Sequence, residues 1–155
     1  MKTLKVDLSA SQELLNSLSK LNTTFFSINP LLDNKSLICK KINENDIQVY
    51  AASDETGVKS LFLIQFYPYN KELAYIETLF IDDSSEGKEE MINDFISTMQ
   101  SIFNTKCFIK VEEMNDNRLS SFKKIGFSML GHSRESIFWN GTYKDQAMYH
   151  LSLEE

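Results

Sequence analysis

Apolar positions along the chain change period as the sequence proceeds. Between residues 47 and 81, three apolar, β-branched runs stand out: IQVYAASD, VKSLFLIQFYP and ELAYIETLFI. Glu55-Thr56-Gly57 and Tyr69-Asn70-Lys71 separate them as short turn signals. Three strand-like runs joined by short turns predict an antiparallel meander. From 84 to 104 the spacing becomes helical. Met91, Ile92, Phe95, Ile96, Met99, Ile102 and Phe103 fall on one face. CFIKVEEM then predicts a strand, and NRLSSFKKI a short helix with Leu119, Phe122 and Ile125 inward and Gly126 as its stop. FSMLGHSRESIFWN and TYKDQAMYHLSL flank Asn140-Gly141, a strong hairpin signal.

The first third is less regular. Ser9 or Ser11 caps a predicted helix, SQELLNSLSKLN, whose Leu14, Leu15, Leu18 and Leu21 recur at helical spacing. Pro30 and the polar NEND tract point to a short helix between loops over 23–46. The whole order predicts an α/β (α+β) domain with a mixed sheet of six or seven strands. Most pairs are antiparallel. The strand–helix–strand unit within it predicts one central parallel pair with a right-handed crossover.

Composition narrows the function classes. A length of 155 residues, 42% hydrophobic and 12% aromatic, fits a single domain over 1–155 with a substantial core. The net charge is −6 and no Lys/Arg block occurs, which argues against a nucleic-acid partner. Cys39 and Cys107 form no CxxC pair and read as reduced thiols, which suggests a cytoplasmic protein. The N-terminal MKTLKVDLSAS has no apolar signal core, and no apolar run approaches the roughly 20 residues of a membrane helix, so no membrane role is expected. His132 and His150 stand in no metal-ligand spacing with the cysteines, so no metal is expected.

Two stretches carry a family resemblance. ETLFIDDSSEGKEEMINDF is similar to the strand, phosphate loop and long helix of the GNAT superfamily of acyl-CoA-dependent N-acetyltransferases. NDNRLSSFKKIGF resembles that superfamily's Asn, short helix and Gly-Phe strand opening. The closing NGTYKDQAMYHLSL resembles the last hairpin of the branch that acetylates protein N-termini and related amines. The resemblance implies acetyl-CoA as co-substrate. The backbone groups of Leu79, Phe80 and Ile81 would pair with its pantetheine arm as an added strand does. The loop from Glu86 to Met91, with Gly87, Lys88 and Glu89, would present helix N–H groups to its pyrophosphate. Asn115 would hold the coenzyme arm, and by position it is also a helix cap.

The loop departs from the family pattern. Glu86 stands at the Arg/Gln position, and Glu89 and Met91 stand at two small-residue positions. A carboxylate ~4 Å from a phosphate charge costs about 4 kcal/mol at an effective dielectric near 20 before screening. The backbone cradle survives if Glu86, Glu89 and Glu90 point outward. The residues alone also describe an ordinary helix start. First-turn acids complement the dipole, and Asp83 with Glu86 has capping-box spacing.

Acyl transfer from a thioester to an amine needs a base for the amine and stabilisation of the carbonyl oxygen, and the leaving thiolate gains a proton. Glu77 shares a strand face with Leu79 and is the first choice for the base; a solvent-facing strand Glu is the alternative. Glu112 and Glu113 are weaker choices. The family places a Tyr acid seven residues after its Asn; here that residue is Phe122, which reads as core. Either the thiolate leaves without help or another hydroxyl substitutes; Ser120, Ser121 and Tyr143 are the candidates, and Tyr143 joins Glu77 as a candidate catalytic residue. The expected function is N-acetyl transfer from acetyl-CoA to a primary amine of a small molecule or a protein N-terminus. The alternative is a non-catalytic GNAT-fold binding or regulatory module that has lost coenzyme binding. A homodimer is plausible through an edge such as the terminal hairpin.

Overall fold

The computed structural model describes residues 2–5, 40, 44, 47–80, 87–113, 120–139 and 142–153. The predicted helix over 11–22 and most of 23–46 lie outside these residues, as do Ile81, Glu86, Asn115 and the Asn140-Gly141 turn.

The meander forms as its pattern predicts: β2 (Gln48–Asp54), β3 (Gly57–Tyr67) and β4 (Asn70–Phe80) pair antiparallel in order. The long helix α1 (Lys88–Phe103) leads to β5 (Cys107–Glu113). The short α2 (Ser120–Lys124) leads to the hairpin of β6 (Ser128–Trp139) and β7 (Thr142–Ser152). An N-terminal strand, β1 (Lys2–Lys5), pairs antiparallel with β2 and makes the sheet seven-stranded, in the order β1-β2-β3-β4-β5-β7-β6. The sequence analysis did not foresee β1. Four residues are too short to show a period, and pairing with β2 is what makes them a strand. Among the described strands β4 and β5 are the one parallel pair, as the strand–helix–strand order requires.

One layer of the core lies between α1 and one sheet face. Met91, Ile92, Phe95, Ile96 and Met99 pack on Tyr50, Phe62, Ile64, Ala74, Ile76 and Phe108. Phe95 stacks on Phe62 with ring centroids 4.4 Å apart and 6° between planes, and its ring lies 5.9 Å from that of Tyr50. The predicted apolar stripe is too long by one member. Ile102 is 56% exposed, whereas the Phe103 ring packs on that of Phe66 with centroids 4.8 Å apart. The Thr3 hydroxyl donates to the Asp94 carboxylate and ties β1 to α1.

A helix cap and a backbone hydrogen bond place β5 beside β4. Asn104 takes a left-handed conformation, and its N–H bonds the Gln100 carbonyl. The Lys106 N–H then donates to the Glu72 carbonyl at 2.8 Å. After α2, Gly126 (φ 116°) stops the helix as expected, with the Phe127 N–H returning to the Phe122 carbonyl. β6 forms a sheet edge and shifts register twice, between Met129 and Gly131 and between Ser133 and Ile137. Such bulges bend an edge and weaken its pairing with another chain. No described helix is long and apolar enough to cross a membrane.

Candidate functional site

The parallel ladder of β4 and β5 is short. It joins Leu73 to Cys107, Ala74 to Phe108 and Tyr75 to Ile109, and then ends. β4 stays paired with β3 as far as Phe80, and β5 stays paired with β7 as far as Glu113. Each strand keeps its outer partner while the two part from each other, so the sheet opens in its middle. The side of β4 that faces β5 carries no ladder from Ile76 onward. This stretch includes the backbone of Leu79 and Phe80, which the sequence analysis nominated. The opening begins earlier than those residues suggested.

Three ionisable side chains fill the opening. The Lys110 ammonium donates to Glu77 Oε1 at 2.7 Å and to Glu112 Oε2 at 3.1 Å. Each of the three is no more than 2% exposed. The Thr78 N–H also donates to Glu77 Oε1, at 2.8 Å, while Oε2 has no partner among the described residues. Glu77 is therefore no solvent-facing strand residue. Alternation sets it on the face of Leu73 and Tyr75, and sets Lys110 on the opposite face with Phe108. They meet because the strands have parted and side chains from both faces turn into the gap.

Burial pushes the Glu77 carboxyl above its ordinary value; Glu112 adds to the rise, and Lys110 opposes it. Burial by itself would lower the Lys110 ammonium, but the two carboxylates and their hydrogen bonds outweigh it and hold the proton more tightly than usual. Breaking such a buried cluster by deleting one member costs roughly 3–5 kcal/mol, whereas an apolar trio of similar volume often does as well or better. Stability alone does not account for the cluster.

Phe122 is core, as expected, and its ring centroid lies 5.8 Å from the Lys110 ammonium. No hydroxyl stands at that position. Ser121 is buried and Ser120 exposed on α2. Tyr143 is 64% exposed on β7, three residues beyond the last pair with β5, and takes no part in the buried cluster. Glu112 belongs to the cluster.

The start of α1 is the second part of the candidate site. Its N-cap is Gly87, at φ 80° and ψ 2°, with no side-chain cap. The helix thus begins at Lys88, after Gly87, and not at the Asp83/Glu86 capping box expected from spacing, whose residues lie outside the described ones. The first-turn Glu89 is drawn toward Lys124 of α2 at 3.6 Å, and Glu90 is exposed. The Lys88 ammonium sits over the Phe80 ring at 4.9 Å, which links the helix start to the open end of β4. A Cβ built on Gly87 meets nothing within 4 Å, so the cost of a side chain there is conformational. Gly87→Ala is expected to lower stability by about 1–2 kcal/mol, read by chemical denaturation.

Of the residues nominated from the sequence, Glu77 lies in the buried cluster and Gly87 and Lys88 at the start of α1; Lys110, which joins Glu77, was not nominated. A readable signal existed: a single Lys inside the apolar run Cys107-Phe108-Ile109-Lys110-Val111, in a strand predicted to lie mid-sheet.

No family model matches the sequence, and no curated protein matches it. Solved structures do. A spermidine N-acetyltransferase from Vibrio cholerae, in complex with CoA and spermine, aligns over 98% of this chain and 95% of its own at a TM-score of 0.77 and 16% identity. A Streptococcus mutans protein aligns over 99% of this chain and all of its own at 0.75 and 16% identity. A dodecameric spermidine N-acetyltransferase structure from Vibrio cholerae aligns over 98% and 93% at 0.74 and 15% identity.

Proposed function

The chain has the GNAT fold, and from that fold we propose that the protein is an N-acetyltransferase that moves an acetyl group from acetyl-CoA to a primary amine. The observation that carries the reading is the opened sheet with a buried carboxylate, Glu77, inside it. An α/β domain has no structural need to part its central strands and fill the gap with ionisable groups.

The residues present fit the coenzyme. The unladdered side of β4 offers backbone groups to the pantetheine arm as an added strand would use them. The first N–H groups of α1, after the left-handed Gly87, suit a pyrophosphate. Glu89 is held aside by Lys124, which eases the charge conflict that the acidic loop raised. Acetyl-CoA supplies an acyl thioester. Glu77 accepts the proton of the attacking amine, and burial suits it to that task by raising its proton affinity. Backbone N–H groups of β4 near Leu79 polarise the carbonyl oxygen. Glu86, Ile81 and Asn115 stay in the proposal on the resemblance alone. Tyr143 is retained as a residue near the acceptor rather than as the acid, because it is exposed. The acceptor class is a small polyamine-like molecule, an antibiotic amine or a protein N-terminus, and the site of action is the cytoplasm.

Calorimetric titration with acetyl-CoA tests the reading. Saturable binding with a constant between about 1 μM and 1 mM is expected, followed by acetylation of one member of an amine panel. Absence of binding overturns the reading. A second reading, a binding or regulatory module that has lost the coenzyme, draws on Glu86, Glu89 and Met91 in the loop and on Phe122, which offers no proton where the resemblance implies an acid. Absence of coenzyme binding would favour it, and saturable binding would remove it. A homodimer through β6 is a separate proposal, and the two bulges of that edge weigh against it; sedimentation at several concentrations decides it.

A further inference from the structure

We infer that Lys110 is a positioning residue for the acetyl transfer: held by Glu112, its ammonium fixes the Glu77 carboxylate in the sheet opening with Oε1 engaged and Oε2 left to take the proton of the acceptor amine. The inference rests on the reading of the protein as an acetyltransferase.

Three observations carry it. First, the ammonium spans the opening. Its bond to Glu77, at 2.7 Å, runs from β5 to β4 just past the point where their ladder stops. Second, the two carboxylate oxygens of Glu77 are unequal. Oε1 accepts from Lys110 and from the Thr78 N–H, and Oε2 is buried with no partner among the described residues. A buried carboxylate oxygen without a donor is a place where a proton is welcome. Third, the cluster carries one more carboxylate than ammonium, so one further proton can be taken up without leaving a net charge buried.

The step balances. The amine nitrogen bonds to the thioester carbonyl carbon as its N–H proton passes to Glu77 Oε2. The carbon–sulfur bond then breaks with its electron pair on sulfur, and the thiolate takes its proton from water. Lys110 keeps its protons throughout, since the two carboxylates hold them more tightly than usual. It is the fixed charge of the site and not its acid.

Among the described residues, the charged groups that act on Glu77 are Lys110 and Glu112, both from β5. β3 sets Leu63 opposite Glu77, and α2 sets the Phe122 ring against the ammonium. The two neighbours act in opposite senses, and this gives the test its sign. Removing Lys110 removes the charge that favours the ionised carboxylate; removing Glu112 removes the charge that opposes it.

The experiment measures two quantities in wild type, Lys110→Met, Lys110→Arg and Glu112→Gln. One is the Glu77 carboxyl titration by carbon-13 NMR, assigned with Glu77→Gln, with no ligand present. The other is the pH dependence of kcat/KM with acetyl-CoA and the acceptor found in the amine panel. Lys110→Met is expected to move the Glu77 titration and the acid limb upward together by about one to three pH units. Glu112→Gln is expected to move both downward, and Lys110→Arg to return both close to wild type. A uniform loss of rate with neither limb nor titration displaced would overturn the inference, and so would displacement of both variants in one direction. If Lys110→Met does not fold by circular dichroism, the downward shift in Glu112→Gln decides alone, and its absence overturns the inference. If the wild type acetylates no amine, the acetyltransferase reading falls, while the carboxyl titration still decides whether Lys110 governs Glu77.

Discussion

Glu77→Gln is expected to lower kcat/KM for acetyl transfer by about 10² to 10⁴-fold, the usual worth of a positioned general base. Calorimetry should find the affinity for acetyl-CoA unchanged. The substitution keeps the shape of the side chain and an oxygen for Lys110 and the Thr78 N–H to bond. It removes the capacity to take a proton. Loss should therefore fall on turnover and spare coenzyme binding, which the proposal assigns to the β4 backbone and the start of α1. Turnover retained at neutral pH would remove Glu77 from the chemistry and pass the role to a bound water. Weakened coenzyme binding would instead mean that the ionic cluster holds the opening in shape. These outcomes differ in the parameter that moves, so one set of steady-state and calorimetric measurements separates them.

Phe95→Ala is expected to cost roughly 3–5 kcal/mol of stability. Its ring is fully buried, stacked on Phe62 and tilted against Tyr50, and it joins α1 to β2 and β3 at once. Against a total stability of about 5–15 kcal/mol, a loss of that size brings the domain near its unfolding threshold. Ile102→Ala is the matched control. Ile102 belongs to the same apolar pattern in sequence but is exposed, and its change should stay within about 0.5 kcal/mol. Urea denaturation of both variants checks the pair. Equal losses would mean that Ile102 is covered by a surface outside the described residues.

Periodicity made most of the fold legible. The change from alternating to helical spacing at α1, and back again at β5, placed the meander, the crossover helix and the parallel pair. Gly126 marked the end of α2, because its left-handed backbone is one that glycine adopts without strain. β1 was not legible, since its state depends on β2 and not on its own four residues. Nor was the true start of α1. First-turn acids and a capping-box spacing occur at 83–86, yet the helix begins after Gly87, where the chain turns through a left-handed residue.

The site divides along the same line. By itself the sequence determined which residues were available: a Glu late in the third meander strand, a Gly-Lys pair before a helix, and a Phe where a Tyr was expected. Those are local properties, set by residue type and spacing, and a linear pattern carries them. Only the tertiary structure decided that Glu77 is buried, that Lys110 is its partner, and that Oε2 is the oxygen left over. Glu77 and Lys110 are 33 residues apart, and alternation sets them on opposite faces of the sheet. They meet because β4 follows β3 and β5 follows β7 away from each other. That parting is a property of the whole sheet, and no one strand encodes it.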